Sequence, residues 1–168
     1  MIAPRDTEIL LGLGARTTRS EIVERAESWL RVPVAFSRSR FHHNEHGIYR
    51  TDCSGFVSMA WGLPGLPTDR RGGLDARGLA EASTSIGWDE LLAGDALLRV
   101  GGDELTRHIA LFHEWADSHR TAYWGFEQSV RAGAVHHRIP LRHDAGVALC
   151  APRRYRNVIT AVNSTQDS

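Results

Sequence analysis

The hydrophobic period of this chain changes once, near Ala96, and that change restricts the fold more than any other feature. Before it, apolar residues recur at helical spacing. Thr18-Arg19-Ser20-Glu21 reads as a capping box, and Ile22, Ala26 and Trp29 follow on one face. That helix is expected to reach about Leu30 and to stop before Pro33, because a proline biases its predecessor away from helix. A second helix is expected from Ser54, with Phe56, Val57, Ala60 and Trp61 on its apolar stripe. Asp52 stands where its N-cap belongs, and Gly62 followed by Leu63-Pro64 supplies the stop. Beyond Ala96 the alternation is that of strands: residues 96–100, 108–114, 121–128, 135–141 and 147–151. Helices first and antiparallel strands afterwards specify an α+β domain.

Between these blocks the sequence is less regular. A short helix is expected over residues 74–82 and a helical turn over 88–92, which Ala93-Gly94-Asp95 ends. Residues 34–50 are polar, contain His42, His43 and His46, and read as a loop that walls the site. A zinc-protease motif needs a glutamate directly after its first histidine, and that position holds His43, so no metal and no cofactor are expected. The 168 residues suffice for one domain. Residues 1–16 are expected to be a lead-in segment, 17–156 a single domain and 157–168 a flexible tail.

Charge and hydropathy narrow the partners. The net charge is +0, which points away from nucleic acid and anionic membranes. No apolar run is long enough for a membrane span. Residues 1–14 carry Asp6 and Glu8 around a short Ile9-Leu10-Leu11 core, which is not a secretory signal. The expectation is a chain that stays in the cytoplasm, or one exported by a route the sequence does not display.

Of the two cysteines, Cys150 lies in the apolar run of residues 147–151 and is expected to be a buried, inert thiol. Cys53 is placed differently. It falls at the first turn of the second helix, where the dipole favours a thiolate and backbone N–H groups can meet an oxyanion. Asp52 and Ser54 flank it with polar groups, and Gly55 leaves room beside it. Thiol chemistry at neutral pH also needs a base that takes the sulfur's proton and returns it to a leaving amine, and histidine suits both tasks. Nine histidines are present, so composition alone cannot choose one.

Asp52-Cys53-Ser54-Gly55-Phe56-Val57 resembles the D-C-S-G-[FL]-V signature of the NlpC/P60 family, papain-like cysteine peptidases that mostly cut peptidoglycan stem peptides. The resemblance extends over residues 34–155 and is sharpest around Cys53 and His108. It implies a papain-like, CHAP-related fold in which helices, one carrying the cysteine at its N-terminus, pack on a five- to six-stranded antiparallel sheet. It implies a catalytic histidine at the start of a strand, a place matched by His108-Ile109-Ala110-Leu111-Phe112. A third polar group on the next strand would orient that histidine. The family commonly has histidine there; here Glu127 stands on an otherwise apolar strand, with Gln128 on the opposite face as the alternative. Tyr49 either lends its hydroxyl to the oxyanion or packs the loop onto the core. Asp52 and Ser54 either meet a polar group of the ligand or, for Asp52, simply cap the helix.

The activity so implied is that of a cysteine peptidase or amidase acting on a peptide-like amide, a peptidoglycan fragment by resemblance, in a secreted or cell-wall-facing setting. Two other readings stay open. One is an amidase or acyltransferase acting inside the cell on a small peptide-like metabolite. The other is a non-catalytic papain-like binding module, for which an intact Cys53 and His108 would be superfluous.

Overall fold

The computed structural model describes residues 5–64, 72–99, 108–141 and 150–159. It is an α+β fold, with helices packed on a six-stranded antiparallel sheet. In chain order come α1 (Asp6–Leu10), α2 (Arg19–Arg31), β1 (Phe41–Asn44), β2 (Gly47–Arg50), α3 (Cys53–Trp61), α4 (Ala76–Glu81) and β3 (Ser83–Ser85). A single 3-10 turn at Trp88–Glu90 leads into β4 (Ala96–Arg99), β5 (His108–Trp115), β6 (Ala122–Ser129), β7 (Gly133–Pro140) and β8 (Ala151–Tyr155). The sheet order is β3-β8-β4-β5-β6-β7, so the last strand inserts between β3 and β4.

The caps fall where the local sequence puts them. Thr18 Oγ1 accepts from the N–H of Glu21 at 3.1 Å while Glu21 reaches back to the N–H of Thr18 at 2.9 Å, closing the capping box of α2. At the other end of α3, Gly62 takes the left-handed conformation (φ 74°) that its C-cap requires. The sheet buries both faces. Against α3 and α2 lie Leu98, Ile109, Leu111 and Phe126, continuous with Trp29, Phe56 and Trp61. On the far face a smaller cluster forms from Leu91, Leu97, Phe112 and Tyr123.

Asp95 locks α2, β4 and β8 together. Its carboxylate, 1% exposed, accepts from Arg19 Nη1 at 3.0 Å and from Arg154 Nε and Nη2 at 3.1 and 3.0 Å. Two arginines thus neutralise a charge that would be very costly to bury alone.

Several expectations change. The histidine-rich stretch is no open loop, for residues 41–50 form the β1–β2 hairpin, with Phe41 paired to Arg50 and Asn44 to Gly47. His42 meets the Trp29 ring edge-on at 5.6 Å, while His46 turns to Glu45 at 3.5 Å. Alternation without strong apolar residues hid these strands. β3, only three residues long, was equally invisible. The last strand runs later than expected, over Ala151–Tyr155, and residues 147–149 lie outside the described part. The chain on either side of the domain is also tied down within the described residues. Asn157 is buried and donates to Gly14 O at 2.8 Å, and the N–H of Ile159 donates to Thr17 O at 2.7 Å. Residues 157–159 thus pack against the segment before α2.

Candidate active site

Cys53 is the first residue of α3, and the chain around it is held from three sides. Asp52, extended at φ −99° and ψ −177°, caps the helix by accepting from the N–H of Gly55 at 2.8 Å. Arg50 grips the same carboxylate, Nε to Oδ2 at 2.6 Å, and donates to Ser54 Oγ at 3.0 Å. Gly55 has a sharper reason than room beside the sulfur. A Cβ there would collide with the backbone carbonyl of Arg50, so only glycine lets the incoming strand press this close to the helix.

The site lies at the end of the sheet where β5 begins, β6 ends and β7 begins. His108 opens β5 and faces β6, its Nε2 3.5 Å from Glu127 Oε1. The Cys53 sulfur lies near the same imidazole. With Nε2 turned to Glu127, Nδ1 is the nitrogen left for the sulfur. Burial by itself favours the neutral ring, but the Cys53 sulfur and the Glu127 carboxylate outweigh it and push the His108 pKa up to about 10. Burial likewise opposes ionisation of Glu127, yet His108 and His137 together hold its carboxyl below the usual range.

The expected residues divide clearly. Cys53, His108 and Glu127 come together. Gln128 points to the other face of β6, where it is fully buried and its amide donates to Val34 O at 3.1 Å and Thr51 O at 3.0 Å. It thereby ties the segment leading into Cys53 onto the sheet. Asp52 and Ser54 border the thiol, but each is bonded to Arg50, and Ser54 Oγ also donates to Asp52 Oδ1 at 3.3 Å. Tyr49 does not approach the thiol. Its hydroxyl donates to Leu63 O at 2.8 Å, just past the C-terminal end of α3. At about 3.3 Å per residue, the strand before Cys53 carries Tyr49 away along the helix and not across its tip.

His137 was not anticipated. It sits on β7 with Nε2 3.4 Å from Glu127 Oε2, and only the pairing of β6 with β7 brings it there. Cys150 is free and partly buried, packed against the far-face cluster. Among the described residues, no group of three or more His, Cys, Asp or Glu side chains is arranged to hold a metal ion. Among them too, no helix is long and apolar enough to cross a membrane.

No protein-family model matches the chain, and no curated protein matches it in sequence. Among solved structures it is similar to an NlpC/P60 family protein from Bacillus cereus ATCC 10987, at 14% identity and a TM-score of 0.47. That alignment covers 83% of this chain and 41% of the other, so the chain spans less than half the length of the protein it matches.

Proposed function

We propose that this chain is a cysteine hydrolase that cleaves a peptide-like amide through Cys53, His108 and Glu127. The observation that carries the reading is the shared imidazole: His108 stands beside a thiol at a helix N-terminus and, through Nε2, faces a carboxylate at 3.5 Å. That combination keeps the imidazole protonated beside sulfur, which is the state a thiolate nucleophile needs.

The sulfur of Cys53 attacks the carbonyl carbon and a tetrahedral adduct forms. The first-turn N–H groups of α3 have no partner within the helix, and that of Gly55 is taken by Asp52. Those of Cys53 and Ser54 are left to receive the oxyanion. His108 then protonates the leaving amine as the C–N bond breaks, giving a thioacyl enzyme. Water, deprotonated by His108, attacks the thioester, and the acid departs as the sulfur is released. Glu127 stabilises the imidazolium throughout and accepts no proton. Tyr49 has no part in the sequence, since its hydroxyl is committed to Leu63.

The substrate class follows from the resemblance of Asp52-Cys53-Ser54-Gly55-Phe56-Val57 to the NlpC/P60 signature: a peptidoglycan stem peptide. The test is incubation of purified protein with muropeptides, with products read by mass spectrometry. Cleavage by the wild type and none by Cys53→Ala is expected. Equal product from both proteins would overturn the reading.

A further inference from the structure

Glu127 is not an ordinary third group, because both of its oxygens are engaged. Oε1 faces His108 Nε2 at 3.5 Å from β5, and Oε2 faces His137 Nε2 at 3.4 Å from β7. The two imidazoles come from the strands on either side, with Glu127 on β6 between them. The register explains the reach. Glu127 pairs with Val135, while His137 stands two residues further along β7, opposite Gly125. A diagonal neighbour on the same face lies about 7–8 Å away, within range of an imidazole. Gly125 puts no side chain between them.

A glutamate needs such help more than an aspartate would. Its carboxylate sits at the end of a longer side chain, and its last torsion is soft and nearly twofold. One imidazole at 3.5 Å leaves that torsion free, whereas a second on the other oxygen holds it. His137 itself is 46% exposed, so packing does not account for its position.

We propose that His137 is a positioning residue: it holds Oε2 of Glu127 so that Oε1 stays aimed at His108, making a His–Glu–His relay behind Cys53. This rests on the reading of Cys53, His108 and Glu127 given above. The ionisable groups facing the relay are Cys53 from α3, His108 from β5, Glu127 from β6 and His137 from β7. Tyr123 and Arg99 lie on the same face, and His136 stands beside His137.

The probe is iodoacetate, whose negative charge makes its reaction with the Cys53 thiolate fastest while the neighbouring imidazole is protonated. The alkylation rate should therefore fall as pH rises through the His108 pKa, near about 10 in the wild type. His137→Phe keeps a ring and removes both nitrogens; it should move that limb down by about one pH unit or more. His137→Gln keeps an N–H donor and should restore the limb to within about half that shift. Circular dichroism of both variants should match the wild type, because the side chain is half exposed. A limb unmoved in His137→Phe but lowered in Glu127→Gln would overturn the role of His137 while leaving the Cys53–His108–Glu127 reading intact. A wild type with no limb at all, or a Cys53 that iodoacetate does not alkylate, would overturn both.

Discussion

The indole of Trp61 stacks on the ring of Tyr155 with centroids 5.3 Å apart and planes 14° from parallel. Trp61 is the last residue of α3 and Tyr155 the last of β8, so the contact fastens the far end of the cysteine helix to the sheet. Trp61 Nε1 adds a bond to Gly94 O at 2.9 Å, and Tyr155 Oη accepts from the N–H of Gly14 at 3.0 Å. At the near end, Gln128 grips Thr51. A helix pinned at both ends carries its first-turn thiol to one place.

Cys53 should be the reactive thiol. Both cysteines are partly buried, so exposure does not separate them, but Cys53 has the His108 imidazole beside it to take its proton. Iodoacetamide at mildly acidic pH, followed by peptide mapping, should label Cys53 well before Cys150. Faster labelling of Cys150 would sink the site.

Glu127→Gln and Gln128→Ala should fail in different ways. The first leaves the shape intact and removes the charge opposite His108, so muropeptide turnover should drop by at least about tenfold with stability little changed. The second removes two buried hydrogen bonds, to carbonyls of Val34 and Thr51 that keep their backbone partners Ala134 and Ser37, which should lower stability by about 1–3 kcal/mol in urea unfolding. The opposite assignment of losses would mean that the amide, not the carboxylate, orients the histidine.

Tyr49→Phe separates an oxyanion role from a structural one. Losing the buried bond to Leu63 O should cost about 1–2 kcal/mol of stability, while turnover stays within about twofold of wild type. A large fall in turnover at unchanged stability would bring the hydroxyl back into the mechanism.

The pairing should also shape stability against pH. The His108 pKa rises from 6.5 to about 10, so its contribution is fully present below 6.5 and is lost as pH climbs through about 10. Glu127 is lowered from 4.5, so its contribution is present above 4.5 and lost as pH falls through the depressed value. The gap in melting temperature between wild type and His108→Ala should be widest between these limits. It should close towards pH 10 and above, and again in acid. A gap that is flat across the range would mean the two charges do not stabilise each other in the fold.

The class of the fold and the places of Cys53 and His108 in it were legible in the sequence because they are local. Helical period, capping box, N-cap and C-cap glycine are decided by residues within a turn of each other, so α2 and α3 fall within a residue or two of expectation. The same local rule put Cys53 at a helix tip and His108 at the head of a strand. Alternation also put Glu127 and Gln128 on opposite faces. It could not say which face His108 shares, because that depends on pairing Leu111 with Phe126 and on the irregularity between Phe112 and Glu114. Tyr49 was placed by how β2 runs along α3, and His137 by the register of β7 on β6. Strand order, register and the direction in which one element crosses another are set by burial between residues far apart in the chain. No spacing within a segment records them, so only the tertiary structure decided that the carboxylate behind His108 would be held by a second histidine.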